Sequence, residues 1–168
     1  MTDHQSQTFV PSSQHLQFMA RAAELSLENV GSGNGGPFGC VIVKDGQIIA
    51  EGSNQVLRTQ DPTAHAEVVA IRRACEVLGS FQLTGCEVYT SCEPCPMCLG
   101  ALYWARPAVI YYANTKADAA AIGFDDQFIY DELDCKMSDR KLPIIRLMVP
   151  IAPQAFEAWA NKQDRVDY

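Results

Sequence analysis

Two short motifs, His65-Ala-Glu67 and Pro94-Cys95-Pro-Met-Cys98, constrain this sequence more than any other feature. Each stands in the predicted first turns of a helix that follows a strand or a loop. Cys95 and Cys98 are close enough along one helix to share a face, so both thiolates can reach a single ion. His65 can supply a third, neutral ligand. A fold that uses all three ligands must bring the beginnings of two separate helices together.

The remaining pattern predicts an α/β protein built as one domain over residues 1–168. Helices are predicted at 13–29, from Asp61-Pro62 to about Leu78, from Glu93-Pro94 to Trp104, near 127–133 and at 153–163. Strands are predicted at 40–44, 47–53, 86–91, 109–112 and 144–149, with Asp45-Gly46 as a hairpin turn. Because a hairpin is followed by strands that alternate with helices, we expect a mixed sheet covered on both faces.

Composition argues against several classes of partner. The 20 Asp and Glu residues exceed the 13 Lys and Arg residues, and the net charge of −7 argues against nucleic acid. No run of about 18 apolar residues could span a membrane, and residues 1–14 lack the apolar core of a signal peptide. Seven cysteines without an export signal indicate a cytoplasmic protein with reduced thiols. Clustered cysteines in that setting bind metal more often than they form disulfides.

One histidine and two thiolates leave a tetrahedral zinc ion one ligand short. Such an open position distinguishes catalytic zinc sites from structural ones, because water can occupy it. Zinc lowers the pKa of bound water, and Glu67 is placed to move the released proton as a base and then as an acid. His65 and Glu67 diverge on a regular helix, so they converge only if the ion lies beyond the helix end. These motifs therefore predict a hydrolytic zinc enzyme.

Two readings of neighbouring residues stay open. Cys92 could complete a closed Cys₃His structural site, as in a zinc-stabilised interaction module, and leave Glu67 without a role. Its position at the end of a strand, before the helix that orients the other thiols, favours the open site. The glycine-rich stretch 31–39 is either a mobile connector or a close approach to a ligand that aims Phe38 into the site.

These motifs resemble the cytidine-deaminase superfamily, and within it the small bacterial guanine deaminases. The zinc motifs specify only the superfamily, whereas Gly123-Phe-Asp-Asp126 and the terminal Tyr168 are similar to the guanine-specific branch. The resemblance covers nearly the whole chain after Ser13. It implies a three-layer α/β/α sandwich around a five-stranded mixed sheet. Its further stretches are Gly35-Gly-Pro-Phe-Gly39, Asp61-Pro-Thr-Ala-His-Ala-Glu67, Tyr89-Thr-Ser-Cys-Glu-Pro-Cys-Pro-Met-Cys98 and Trp104-Ala-Arg106.

The resemblance implies zinc-dependent hydrolysis of guanine to xanthine and ammonia. His65, Cys95 and Cys98 would hold one zinc ion per subunit, and Glu67 would shuttle protons. A tRNA adenosine deaminase and a cytosine deaminase share this chemistry and are the alternatives. An RNA substrate requires a face rich in Lys and Arg, which this acidic sequence does not indicate.

Five positions are implied to contact the purine base. The Asn54 side chain and the Ala66 backbone N–H would hydrogen-bond it, and Phe38 and Trp104 would pack on its rings. Asp126 would accept from an imidazole N–H that a free base has and a nucleoside lacks, although Asp125 could take this place. Because an unpaired buried group is costly, this contact predicts rejection of guanosine by roughly 10⁴-fold or more.

The resemblance also implies a homodimer in which the C-terminal segment 150–168 is exchanged between subunits. Tyr168 would then close the pocket of the neighbouring subunit. The amphipathic stretch from Phe156 to Trp159, after Pro153, is compatible with an exchanged arm.

Overall fold

The structure is a computed structural model that describes residues 9–167, so the prediction for Tyr168 lies outside the described residues. The chain divides into two compact units, one up to Asp126 and one from Gln127 onward. Within the described range, none of the helices combines the length and the apolar character that crossing a membrane requires. The helices are α1 (Ser13–Val30), α2 (Val56–Thr59), α3 (Ala66–Leu78), α4 (Pro96–Ala105), α5 (Lys116–Ala121), α6 (Gln127–Asp134), a 3₁₀ turn (Met137–Asp139) and α7 (Ala152–Asn161).

Four strands form a mixed sheet in the order β2-β1-β3-β4. They are β1 (Gly39–Lys44), β2 (Gln47–Ser53), β3 (Cys86–Cys92) and β4 (Val109–Asn114). β1 pairs antiparallel with β2 and β3, while β3 and β4 are parallel. Asp45 and Gly46 both adopt positive φ, 51° and 74°, as a tight type I′ hairpin requires. The mixed sheet and the hairpin are confirmed.

The predicted fifth strand at 144–149 is wrong for the described chain, whose sheet has four strands. Residues 144–149 are exposed and make no ladder within the part of the chain that the structure describes. A strand is stable only when a neighbour pairs its N–H and C=O groups. Apolar content alone predicted the segment and could not supply that neighbour.

The core lies on both faces of the sheet. Along β1, Cys40 and Ile42 pack in a cluster with residues of α3 and α4, while Val41 and Val43 pack in a second cluster with α1. Side chains of a strand alternate between its two faces, so the two clusters lie on opposite sides. The predicted covering of both faces by helices is confirmed.

The predicted starts of α3 and α4 are wrong. α3 begins at Ala66 rather than at Pro62, and α4 begins at Pro96. The Asp61 carboxylate accepts from the backbone N–H and the hydroxyl of Thr63, at 2.8 and 2.7 Å, and so stabilises a local turn. α2 and α5 were not predicted. The later starts place His65 and Cys95 at the N-caps of their helices.

A glycine allows α3 to approach the sheet closely. A Cβ atom on Gly52 of β2 would lie 2.3 Å from the backbone oxygen of Ala66 and 2.7 Å from the nitrogen of Ala70. A larger residue would push the helix away from the sheet. Gly52 therefore determines the position of the helical turn that carries Glu67.

Candidate metal centre and active site

The two sequence motifs occupy equivalent places at two helix ends. His65 precedes α3 and Cys95 precedes α4, and both have extended backbone conformations, with ψ of 159° and 166°. Glu67 and Cys98 follow inside the first turns. An extended N-cap lies outside the helical spiral, so its side chain can turn toward the helix end. This explains how His65 and Glu67 serve one site although they stand two positions apart.

His65, Cys95 and Cys98 bring their ligand atoms within 4.8 Å of one another. His65 Nδ1 lies 3.5 Å from each of the two Sγ atoms. Zinc bonds of about 2.3 Å to sulfur and about 2.0–2.1 Å to nitrogen, meeting at a tetrahedral angle, would separate these atoms by about 3.6 Å. The cluster fits a zinc ion in both its donor set and its spacing.

The electrostatics of the cluster favour thiolate at Cys95, whereas a hydrogen bond to Cys95 and burial raise the pKa of Cys98. A hydrogen bond from Cys98, followed by one from His65, lowers the pKa of Cys95 to about 4. Cys95 in turn raises the pKa of His65. The N-terminal end of α4 adds partial positive charge beside the sulfur. Thiolate is the form that binds metal.

Glu67 is a buried carboxyl group beside the cluster, with 6% of its surface exposed. Burial raises its pKa, while backbone and Cys98 hydrogen bonds act in the opposite direction. The Thr90 hydroxyl donates to Glu67 Oε1 at 3.3 Å. Thr90 was not predicted, because a threonine on a buried strand carries no chemical signal of its own. A buried carboxyl with a raised pKa suits proton transfer.

Cys92 does not join the metal cluster. Among the described residues, His65, Cys95 and Cys98 form the one group of three or more candidate ligands. The Cys92 thiol instead donates to the backbone oxygen of Thr115 at 3.5 Å. Burial raises the pKa of Cys92 to about 11, which keeps it a thiol. No fourth side chain among the described residues therefore joins His65, Cys95 and Cys98 as a candidate ligand.

Phe38 and Asn54 are linked directly. The Asn54 backbone N–H donates to the Phe38 oxygen at 3.1 Å, and Asn54 Oδ1 accepts from the Val56 N–H at 3.2 Å. The Phe38 ring meets the ring of Phe124 edge-on, with centroids 5.0 Å apart. Phe124 lies in the Gly123-Phe-Asp-Asp126 motif, but the sequence did not predict a role for it. Ala66 is fully buried, and as the first residue of α3 its N–H has no partner inside the helix.

The remaining predicted base contacts differ in burial. Trp104 lies near the end of α4 with 64% of its surface exposed. Asp126 is partly buried whereas Asp125 is exposed. Burial, followed by the charge of Cys95, raises the pKa of Asp126. Asp126 therefore fits the predicted base contact better than Asp125 does.

The chain matches known proteins over most of its length. Guanine deaminase of Bacillus subtilis (strain 168) is 54% identical over 154 residues, 92% of this chain and 99% of that protein. The X-ray structure of guanine deaminase from Bacillus subtilis matches with a TM-score of 0.89 and 55% identity, covering 92% of this chain and 98% of that one. The tRNA-specific adenosine deaminase of Agrobacterium fabrum (strain C58 / ATCC 33970) is 42% identical over 86 residues, 51% of this chain and 57% of that protein.

A family match covers the region of the metal cluster. Residues 12–114 match the cytidine and deoxycytidylate deaminase zinc-binding region. That range contains His65, Glu67, Cys95 and Cys98 together with all four strands. The similarity in sequence, structure and ligand arrangement leads to one conclusion: this chain belongs to the cytidine and deoxycytidylate deaminase zinc-binding family.

Proposed function

We propose that this protein is a zinc-dependent guanine deaminase that converts guanine and water to xanthine and ammonia. The observation that carries the proposal is the 54% identity to a guanine deaminase over 92% of the chain. The zinc-binding region ends at residue 114, whereas the match to guanine deaminase covers 154 residues. That match therefore extends beyond the zinc-binding region. The match to tRNA adenosine deaminase covers only 51% of the chain. Similarity beyond the shared zinc region therefore favours guanine.

His65, Cys95 and Cys98 hold the metal in the proposed mechanism. A zinc ion held there would lower the pKa of water, so that water could act as a nucleophile near neutral pH. Glu67 would take one proton from the water and pass it to the ring nitrogen next to C2. It would then take the second proton from the hydroxyl group added at C2 and pass it to the departing amine. The hydroxyl of Thr90, 3.3 Å from Glu67 Oε1, orients the carboxylate for both transfers.

Residues around the metal cluster would hold the purine. The Asn54 amide and the Ala66 N–H hydrogen-bond the base, while Phe38 and Trp104 pack on its faces. Asp126 accepts the imidazole N–H of guanine. In guanosine the sugar replaces that hydrogen, so the carboxylate would be left without its partner.

An ammonia-release assay tests the proposed function. The substrates are guanine, adenine, cytosine, their nucleosides and aminotriazines, each with the zinc-loaded protein. We expect guanine to be turned over fastest and guanosine to be rejected by about 10⁴-fold or more. Comparable turnover of guanine and guanosine would contradict the role of Asp126. Exclusive turnover of cytosine would contradict the assignment of guanine.

Salt dependence separates a free base from tRNA as the substrate. A protein that binds a phosphate backbone loses about 10³–10⁵ in affinity between 50 and 200 mM salt when it makes six to ten contacts. Guanine carries no phosphate, so its turnover should change little over that range. A net charge of −7 supports the same choice.

We also propose that the protein is a cytoplasmic homodimer that exchanges residues 150–168, so that Tyr168 closes the partner's pocket. All seven cysteines are free thiols, which fits a reducing compartment. Leu147 and Phe156 are more than 80% exposed within one chain. Apolar side chains exposed at this density mark an interaction surface, and a second copy would cover it.

A further inference from the structure

Asn29 is a buried polar side chain with no part in the proposed mechanism. It lies in the last turn of α1 with 3% of its surface exposed. A buried amide destabilises a protein unless hydrogen bonds replace those it made to water. The partners of Asn29 therefore show what keeps it in place.

The Asn29 carboxamide connects two separate segments of the chain. Its Nδ2 atom donates to the backbone oxygen of Gly36 at 2.8 Å and to that of Asn54 at 2.9 Å. Its Oδ1 atom accepts from the Ser32 hydroxyl at 3.1 Å. Both N–H groups are thus used, one on the glycine-rich loop 31–37 and one at the end of β2.

These two carbonyl groups lie next to the proposed base contacts. The Gly36 oxygen also accepts from the Phe38 N–H at 2.9 Å, and the Phe38 oxygen accepts from the Asn54 N–H at 3.1 Å. A Cβ atom on Gly35 would lie 2.0 Å from Asn54 Oδ1, so the loop backbone lies directly against the Asn54 side chain. A shift of the loop would therefore displace both Phe38 and Asn54.

We infer that Asn29 is a positioning residue for purine recognition, because its carboxamide holds Phe38 and Asn54 at the spacing that binding of the base requires. The inference rests on the proposed function and involves neither the metal ligands nor Glu67. Phe38 and Asn54 would contact the base before and during the reaction. Their displacement should therefore raise KM and leave kcat nearly unchanged.

Two substitutions at Asn29 test this inference against a control. Asn29→Asp keeps the shape but places an oxygen opposite two carbonyl oxygens, and Asn29→Ser leaves room for water between them. Val43→Ala, in the core cluster that packs with α1, is the control for a general loss of stability. Assays with guanine are run below the melting temperature of every variant. We expect both Asn29 variants to raise KM by about tenfold or more, with kcat within about threefold and zinc content unchanged.

Amide hydrogen exchange at Phe38 and Asn54 gives a second readout that does not depend on guanine. We expect about tenfold faster exchange in both Asn29 variants and wild-type exchange in Val43→Ala. Unchanged exchange, unchanged KM, or an equal rise of KM in Val43→Ala would each overturn the inference. Failure of the wild-type protein to release ammonia from guanine would instead overturn the proposed function. Amide hydrogen exchange would then still show whether Asn29 holds the glycine-rich loop 31–37 in place.

Discussion

The unit up to Asp126 and the unit from Gln127 onward differ in the burial of their apolar side chains. The first unit buries two clusters, one on each face of the sheet, and carries the whole metal cluster. In the second unit, no residue between 127 and 167 is buried. Large apolar side chains are nevertheless frequent there and are exposed: Leu142, Ile145, Leu147, Met148, Val149, Ile151 and Phe156.

This difference shows that apolar composition does not by itself produce a core. The first unit has a sheet whose two faces helices can cover, whereas two helices and an irregular stretch enclose no comparable interior. Exposed apolar surface of this extent is normally covered by a partner. The first unit therefore contains a buried core and the metal cluster, whereas the described residues of the second unit contain neither.

The largest expected effect separates catalysis from stability inside the first unit. Glu67→Ala should lower kcat with guanine by about 10³-fold or more, because no other group would move protons at the reacting atoms. The three metal ligands remain, so zinc content should stay stoichiometric. Ammonia release and metal analysis measure the two quantities. Glu76→Ala, an exposed position on α3, is the matched control, and retained turnover in Glu67→Ala would remove Glu67 from the mechanism.

Loss of a ligand should reduce both metal content and stability of the first unit. Cys95→Ser is expected to lose zinc. Its free energy of unfolding should be about 4 kcal/mol lower than that of the zinc-loaded wild type, measured at a free zinc concentration about 1,000 times Kd. Thermal unfolding with and without a chelator measures the loss. Cys135→Ser, at an exposed cysteine in the second unit, should change neither quantity. A chelator-insensitive wild-type protein would contradict the link between metal and folding.

A charge on the second unit should break the proposed dimer. Leu147 is 84% exposed within one chain, and substitutions at such positions usually change stability by no more than about 0.5 kcal/mol. If a second subunit covers it, Leu147→Asp should weaken dimerisation by about 100-fold, roughly 2.7 kcal/mol. Sedimentation velocity over a concentration series measures this. Gln163→Asp is the exposed control, and a monomeric wild-type protein would refute the exchanged dimer.

The smallest effect concerns a surface ion pair of the first unit. Arg21 donates to both oxygens of Glu51, at 2.8 and 3.2 Å, and lowers the pKa of Glu51 below its ordinary 4.5. A carboxyl group with a lowered pKa stabilises the fold above its ordinary pKa, and this contribution is lost as the pH falls through the lowered value. Glu51→Gln should therefore lower the free energy of unfolding by less than about 1 kcal/mol at pH 7.

The pH dependence of unfolding checks this contribution. The difference in free energy of unfolding between wild type and Glu51→Gln should shrink as the pH falls below 4.5. Glu24→Gln provides a comparison, since Glu24 also pairs with Arg21 but at 3.3 Å and with greater exposure. A difference that persists at acid pH would mean that packing, rather than charge, accounts for the effect.

The sequence by itself determined the metal cluster, because ligand type and local spacing decide which side chains can share an ion. His65, Cys95 and Cys98 meet as predicted although the helix starts were misplaced. Both motifs span the starts of their helices, and the later starts placed His65 and Cys95 at the N-caps without separating the ligands.

Only the tertiary structure decided which buried polar side chains lie around the predicted site. Thr90 and Asn29 carry no local signal, and each is recognised only by its hydrogen bond to a segment distant in the sequence. The segment 144–149 has the composition of a strand, but the described chain offers it no pairing neighbour. Ligand chemistry is local and can be read from a motif, whereas strand pairing and buried hydrogen bonds depend on where the rest of the chain lies.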